Sequence, residues 1–210
     1  NNNVISDISL RVKFDKQNDT LFIKPPKSFV EDFNGNKASA AYYSSKANDF
    51  SKINKIRINS TFTFSIWVMP NENSGSNFYP IINRSIDGSS RSPYYQFHLG
   101  ARSKDYKESP YTFFCWVSIN NRLVTLSSLI NWEAGNWYNL AVTYDQNLVK
   151  FYVNGKLQTQ KRANGLINQS NELIYVAKHY GNDFYFNGTI DDLQFYDRAL
   201  SSDEILFLFE

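Results

Sequence analysis

Two adjacent carboxylates, Asp191 and Asp192, are the residues whose types and spacing most directly suggest chemistry, because the stretch around them reads as a β-strand. Two carboxylates flanking one bond suit glycoside hydrolysis, and a carboxylate among carbonyl oxygens suits a Ca²⁺ ion. Successive side chains of a strand point to opposite faces, so alternation groups Asp191 with Leu193 and Phe195 in the core-facing row and directs Asp192 outward. The pattern therefore predicts a buried Asp191 and no acid–base pair.

A buried carboxylate at Asp191 has to be compensated, since burying an unpaired charge is costly. Two arrangements meet that requirement. The carboxylate either accepts backbone N–H bonds from a neighbouring turn or serves as an oxygen ligand for calcium. The sequence leaves both arrangements open.

The other residues with catalytic potential form no recognisable pattern. His98 and His179 have no Gly-x-Ser-x-Gly elbow beside them. The single cysteine, Cys115, alternates with Phe113 and Val117 and reads as a small core residue. One cysteine excludes an internal disulfide, and no Cys/His cluster suggests zinc. We therefore predict that the protein is not an enzyme.

Saccharide recognition is the chemistry that the composition supports best. Aromatic residues make up 17% of the chain, and their rings can stack on the apolar faces of sugars. The stretch 111–119 is apolar on both faces, so it is either a covered central strand or the floor of a groove. If it is a groove floor, the predicted ligand-binding residues are Arg84, Tyr94, Gln96, His98, Tyr111 and Trp116. Otherwise these aromatic residues fill the core and its rim.

The elements that must position these residues are about a dozen short strands separated by turn signals, with almost no helix. The stretch 60–70 alternates strictly, with Trp67 as an aromatic on its polar face, either buried beneath a loop or offered for stacking. Asn154-Gly155 predicts a type I′ hairpin, and the capping box from Ser201 to Glu204 predicts a short terminal helix. This organisation predicts an all-β sandwich of two antiparallel sheets.

The charge and hydropathy of the chain limit the classes of partner that it is expected to bind. The net charge is +2, and the cations are scattered rather than gathered in the basic stripe that nucleic-acid binding requires. No apolar run reaches the length of about 18 residues that indicates a membrane span. We expect residues 1–210 to be a single domain from a larger secreted or cell-surface protein, and the oligomeric state stays open.

Four segments in the second part of the chain resemble the laminin-G-like, concanavalin A-type jelly-roll family. These segments are Phe62–Pro70, Trp137–Asp145, Val149–Lys156 and Phe186–Ser201. The resemblance implies two antiparallel sheets, with ligand sites on a sheet face or in rim loops. It also implies a function class rather than one function, because the fold serves lectins, adhesion modules, toxin receptor-binding subdomains and some glycoside hydrolases.

What the resemblance implies for the acidic residues is structural rather than catalytic. Related hydrolases carry a Glu-x-Asp-x-x-Glu string on one strand, which is absent here. Relatives often bind a structural Ca²⁺ through the first Asp of the matching motif, here Asp191, with oxygens of an early turn that would include Asn34. We expect a non-catalytic module that binds a glycan or a cell-surface glycoprotein. The alternative is a protein-interaction or receptor-binding subdomain of an adhesin or toxin, in which the sandwich is mainly a scaffold.

Overall fold

The computed structural model describes residues 8–14, 21–54, 56–72, 76–88 and 93–210, and the structural statements below concern these residues. In chain order the strands are β1 (Ile8–Val12), β2 (Phe22–Lys24), β3 (Ser28–Val30), β4 (Ala40–Tyr43), β5 (Ser51–Ile53), β6 (Phe62–Pro70), β7 (Phe78–Ser85), β8 (Tyr95–Arg102), β9 (Thr112–Ile119), β10 (Arg122–Asn131), β11 (Tyr138–Tyr144), β12 (Leu148–Val153), β13 (Lys156–Arg162), β14 (Ile174–Val176) and β15 (Gly188–Tyr196). A helix, α1 (Ser202–Phe209), follows the last strand.

The strands form two antiparallel sheets that pack face to face. The first sheet has the order β13-β12-β11-β6-β15-β4-β3 with β1 beside β15, and the second has the order β10-β9-β8-β7-β14-β5-β2. Phe64 of the first sheet and Phe97 of the second meet in the core with ring centroids 5.5 Å apart. The predicted sandwich is confirmed.

The local signals of the sequence form the elements that they predict. Asn154 and Gly155 have φ values of 51° and 72°, which a type I′ hairpin requires. Ser201 caps α1, since its side chain accepts the Glu204 N–H while the Glu204 side chain accepts the Ser201 N–H. The helix lies on the outer face of the first sheet, where Ile205 packs in a small second core. No described helix has the length and apolarity needed to cross a membrane.

Two irregularities in the strands decide where the candidate site residues point. In β15, the register passes from Asp191 opposite Trp67 to Gln194 opposite Ser65, so this strand holds one residue more than its partner. In β8, Phe97 pairs with Arg84 but Tyr95 pairs with Ser85, which leaves Gln96 as the extra residue. Beyond such a bulge the alternation of faces changes phase.

Candidate functional site

A row of side chains crosses the outer face of the second sheet and contains two of the predicted ligand-binding residues. Directly paired residues of an antiparallel sheet share a face, so the row follows from the register. From β10 to β2 its members are Thr125, Trp116, His98, Asn83, Tyr175, Lys52 and Lys24.

Trp116 and Tyr175 are the partly exposed aromatic residues of this row, and other rings surround Trp116. Its ring centroid lies 4.9 Å from that of Phe114, 5.2 Å from His98, 5.5 Å from Tyr95 and 6.1 Å from Phe78. These contacts form a contiguous aromatic cluster across β7, β8 and β9, which we call the Trp116 face. Trp116 and Phe78 are its partly exposed members, whereas Phe114, His98 and Tyr95 are buried. Such a surface presents π faces against which the C–H groups of a sugar ring can pack.

His98 lies beneath this surface as a neutral imidazole. It is 2% exposed, and neither ring nitrogen has a hydrogen-bond partner among the described residues. Burial lowers its pKa well below the ordinary value, and the nearby His179 lowers it further. His98 therefore supports the rings above it as a packed aromatic.

The segment from Lys178 to Tyr180 covers the middle of the row. Asn83 holds it there, because its Nδ2 donates to the Lys178 carbonyl at 2.7 Å and its Oδ1 accepts the Tyr180 N–H at 3.1 Å. His179 Nδ1 accepts the Gly181 N–H at 3.0 Å, so the proton of the neutral ring is on Nε2, which contacts the Tyr95 hydroxyl at 2.6 Å. Burial, followed by the positive Lys178, lowers the pKa of His179 to about 4.

Arg84 and Gln96 do not contribute to the Trp116 face. Arg84 is 1% exposed and donates to the carbonyls of Glu172 and Ile56 at 2.8 and 2.7 Å and to Gln96 Oε1 at 3.1 Å. Gln96 has no exposed surface and donates to the Asn168 carbonyl at 2.8 Å. The predicted shared phase of Gln96 and His98 is wrong, because the bulge at Gln96 brings Tyr95 to the side of His98 instead.

The two predicted tyrosines lie in different places. Tyr94 is 40% exposed and its ring contacts that of Tyr95, which places it at the border of the Trp116 face. Tyr111 packs against Trp132 at the end of the core and donates its hydroxyl to Glu72 at 3.0 Å. The structure therefore brings together His98, Trp116 and Tyr94, and separates them from Tyr111.

The polar group at the other border of this face is Arg102, which the sequence offers as a polar candidate but which the predicted ligand-binding set does not include. Its guanidinium lies 4.6 Å from the ring centroid of Tyr106 and 5.5 Å from that of Phe114. It also donates to the hydroxyls of Ser109 and Ser127 at 2.6 and 2.9 Å. Arg102 reaches this face because it pairs with Phe78 across β7 and β8. That pairing register cannot be read from the sequence of one strand.

The acidic pair lies on the outer face of the first sheet, which corrects the predicted faces. Asp191 pairs with Trp67, whose ring stacks on Phe33 at 4.1 Å, so Asp191 faces away from the core. The assignment of Asp191 to the row of Leu193 is wrong. The bulge begins directly after Asp191, where Asp192 adopts a φ of 45°, so Asp191 and Leu193 do not share a face. Trp67 itself is buried beneath a turn and α1, which confirms the first of its two interpretations.

Both carboxylates are buried in one cleft, although an outward and an inward carboxylate were predicted. Asp191 and Asp192 are 5% and 6% exposed. Asp192 is paired with Arg11, whose Nη2 lies 2.9 Å from its Oδ2. Asp191 accepts the Asp192 N–H at 2.7 Å and the Phe14 N–H, so its backbone donors come from β15 and from the chain after β1 rather than from a neighbouring turn. Burial raises the pKa of Asp191 to about 7, and the charges of Asp192 and Asp32 add to that effect.

The predicted calcium ligands line this same cleft of about 210 Å³. Asn34 lies there beside Asp191, in a turn where Asp32 Oδ1 accepts the N–H groups of Asn34 and Asn36. Among the described residues, no three acidic, histidine or cysteine side chains converge as a metal cluster. An ion in this cleft would depend on amide and carbonyl oxygens in addition to Asp191.

Comparison with protein families gives a match over most of the chain. The sequence profile of the concanavalin A-like lectin/glucanases superfamily matches residues 39–206. No curated protein compared with the chain matches it significantly in sequence.

Solved structures with the same architecture include domain 4 of the extracellular arabinanase AbnA from Geobacillus stearothermophilus, determined in complex with arabinotriose. It has a TM-score of 0.66 and 16% identity, with 97% of this chain and 98% of that one covered. The binding domain of Paraclostridial Mosquitocidal Protein 1 has a TM-score of 0.69 and 16% identity, with 92% and 48% covered. The ligand-binding domain of botulinum neurotoxin serotype D, in complex with N-acetylneuraminic acid, has a TM-score of 0.67 and 18% identity, with 97% and 50% covered.

These comparisons establish the fold that the chain shares with binding domains. The chain spans about half the length of the two toxin binding domains, at 48% and 50%, and nearly all of the arabinanase domain, at 98%. At sequence identities of 16–18%, the similarity shows a shared architecture and does not identify any individual site residue.

Proposed function

Because the chain belongs to the concanavalin A-like lectin/glucanases superfamily, we propose that it is a non-catalytic module that binds carbohydrate through the Trp116 face. The observation that carries the proposal is the partly exposed Trp116, which packs beside the partly exposed Phe78 on a contiguous aromatic cluster bordered by Tyr94 and Arg102. Stacking surfaces with polar groups at their borders suit sugar rings, which combine apolar C–H faces with hydroxyls.

The arabinanase domain supports the same class of ligand. It matches almost the whole of this chain and was solved with arabinotriose, a neutral oligosaccharide of three sugars. The acidic cleft favours a non-catalytic role, because Arg11 and Gln194 both bind Asp192 and so engage one member of its carboxylate pair. We further propose a secreted or cell-surface location, where such ligands occur.

A glycan array with the folded protein tests the proposal, using wild type and Trp116→Ala. We expect wild type to bind at least one glycan and Trp116→Ala to lose about tenfold or more in affinity, since stacked aromatic contacts contribute on the order of 1 kcal/mol beyond the area that they bury. Phe207→Ala is the matched control, because Phe207 is 51% exposed on α1 and far from this face. Thermal unfolding confirms that both variants fold.

Two results would contradict the proposal. Folded wild type that binds no glycan on a broad array would exclude a lectin function. Equal affinity of wild type and Trp116→Ala for a bound glycan would move the site away from the Trp116 face.

The second candidate function is a receptor-binding subdomain in which the sandwich is mainly a scaffold. One observation favours it: the middle of the sheet face is filled, because His98 and Phe114 are buried and the segment around His179 lies over them. A protein partner would then bind at rim loops. Retained binding to target cells by the Trp116→Ala variant, without any glycan affinity, would support this function over the first.

We also propose that the acidic cleft holds a structural Ca²⁺ ion. Its lining offers oxygen donors that suit a hard cation, the carboxylate of Asp191 and the side-chain amide of Asn34, although Arg11 and Lys13 also line it. Bound there, the ion would neutralise Asp191 and connect the turn at residues 32–36 to the closing strand. A melting temperature that is equal in excess Ca²⁺ and in excess chelator would exclude it.

A further inference from the structure

Three lysine side chains converge on one aromatic ring at the far edge of the second sheet. The Nζ atoms of Lys24, Lys178 and Lys52 lie 3.0, 5.2 and 5.8 Å from the ring centroid of Phe50. Ammonium groups repel one another, so their meeting over one ring is an arrangement that charge alone opposes.

The repulsion is strongest between two lysines that the sheet places directly opposite each other. Lys24 of β2 and Lys52 of β5 are cross-strand partners in the register of the sheet. Like charges in this position destabilise a sheet. Burial is the largest cause that lowers the pKa of Lys24. The positive charges of Lys27, Lys52 and Lys178 lower it further. The close approach of these lysines therefore destabilises the folded protein, and the fold itself does not require lysine at these positions.

Nearby carboxylates offset this repulsion only in part, since the charge of Asp49 acts to raise the pKa of Lys24 while burial and the neighbouring lysines lower it. Asp49 is paired with Lys27 at 2.8 Å, and Asp183 with Lys178 at 3.1 Å. Within the part of the chain that the structure describes, neither Lys24 nor Lys52 has a carboxylate partner. Their contacts are with ring faces instead, Lys24 over Phe50 and Lys52 over both Phe50 and Tyr175.

The aromatic members of the cluster give the surface a second recognition property. Phe50 and Tyr175 stack with centroids 6.2 Å apart and planes inclined by 13°, and Tyr185 lies 6.4 Å from Phe50. All three rings are partly exposed. A ligand that suits this surface combines apolar C–H groups with a negative charge, which is the chemistry of a sugar ring that carries an acidic substituent.

We propose that Lys24, Lys52 and the Phe50–Tyr175 ring pair form a second binding site, which takes the carboxylate or sulfate group of an acidic saccharide. Two unpaired ammonium groups match one such group, because an anionic oxygen accepts charge-assisted hydrogen bonds from both. A long polyanion fits poorly, since nucleic-acid binding needs a basic stripe and this patch has only two unpaired cations.

This inference deepens the proposed function, because it names a ligand class, but it uses a different part of the face. Trp116 and Lys52 belong to the same row and are four strands apart, which is roughly 19 Å at the usual strand spacing. The segment from Lys178 to Tyr180 lies between them. Ligand binding at the two sites can therefore be tested separately, and loss of one does not imply loss of the other.

Titration calorimetry at low ionic strength tests the site with two acidic saccharides, 3′-sialyllactose and a heparin-derived tetrasaccharide. Lactose is the neutral control, because it is sialyllactose without its acidic sugar. We expect binding of at least one acidic saccharide and a loss on the order of tenfold or more in Lys24→Gln/Lys52→Gln, since hydrogen bonds to charged groups are stronger than neutral ones. The loss should shrink in 0.5 M salt, which screens exposed charges.

Two variants serve as controls. Lys37→Gln/Lys156→Gln removes the same charge from exposed positions outside the cluster and should bind as wild type does. Trp116→Ala should keep its affinity for the acidic saccharide, which separates this site from the Trp116 face. The Lys24→Gln/Lys52→Gln protein should melt at or above the wild-type temperature, because a like-charge pair has been removed.

Several outcomes would overturn the inference. One is the absence of binding to either acidic saccharide by folded wild type. Another is an equal loss in the two double-lysine variants, which would indicate a general effect of net charge. Binding to phosphatidylserine vesicles or to an oligonucleotide, without binding to the free saccharides, would assign the cluster to a membrane or a nucleic acid instead.

Discussion

The pH dependence of stability should report the buried carboxyl group of Asp191, and Asp191→Asn is the perturbation that isolates it. Burial raises the pKa of this group from 3.8 to about 7. In the unfolded chain the group ionises near its ordinary value, so between these pH values the folded state binds more protons. The contribution of Asp191 to the free energy of unfolding must therefore fall as pH rises from about 4 to about 7, and level off above.

The magnitude follows from the two pKa values. Their difference corresponds to about 4 kcal/mol, since one pH unit is worth about 1.4 kcal/mol. Asparagine keeps an oxygen that can accept the Asp192 N–H and does not ionise, so it lacks this dependence. The stability of Asp191→Asn relative to wild type should rise by up to about 4 kcal/mol between pH 4 and pH 8.

Urea unfolding at each pH, with Asp183→Asn as control, measures this difference. Asp183 is exposed, and its hydrogen bond with Lys178 lowers its pKa below 3.8, so the stability of Asp183→Asn relative to wild type should not change between pH 5 and pH 8. Parallel curves for wild type and Asp191→Asn over this range would refute the reasoning. With excess Ca²⁺ at pH 8, wild type should regain stability and Asp191→Asn should not, because an ion bound only to the folded state stabilises it.

Two further predictions concern contacts outside the acidic cleft. Ser201→Ala removes the side-chain acceptor for the Glu204 N–H, and urea unfolding should show a loss of about 1 kcal/mol, whereas an unchanged midpoint would contradict the cap. Because the pKa of His179 is lowered from 6.5 to about 4 by burial, its stabilisation is fully present above pH 6.5 and is lost as pH falls toward 4. The stability of His179→Gln relative to wild type should therefore rise as pH falls through that window, and a constant difference would contradict the buried neutral ring.

Local signals allowed much of the fold to be predicted, because each acts within a few residues. Asn154-Gly155 tolerates the positive φ that its turn requires, and Ser201 with Glu204 satisfies free N–H groups at the start of α1. Cys115 is a fully buried core residue, as its alternation predicts. The alternation of Phe62 to Val68 depends only on the strand being regular, which it is.

Predictions that extended alternation through a bulge went wrong. The period of two assigns Asp191 and Asp192 to opposite faces, but the extra residue in β15 lets both carboxylates enter one cleft. A bulge depends on the pairing of two strands, and a single sequence contains no direct record of that pairing. Asp192 was the one local hint, because aspartate tolerates positive φ better than most residues.

The second bulge changes the chemistry of the candidate site, and not only its geometry. Regular alternation would place the amide of Gln96 beside His98 and Trp116, which suits direct hydrogen bonding to sugar hydroxyls. The bulge replaces that amide with the ring of Tyr95, so the Trp116 face becomes more aromatic and its polar groups lie at the borders. If the Trp116 face binds saccharides as proposed, ring stacking would contribute more to recognition than hydrogen bonds, and selection for charge would depend on the separate lysine site proposed on β2 and β5.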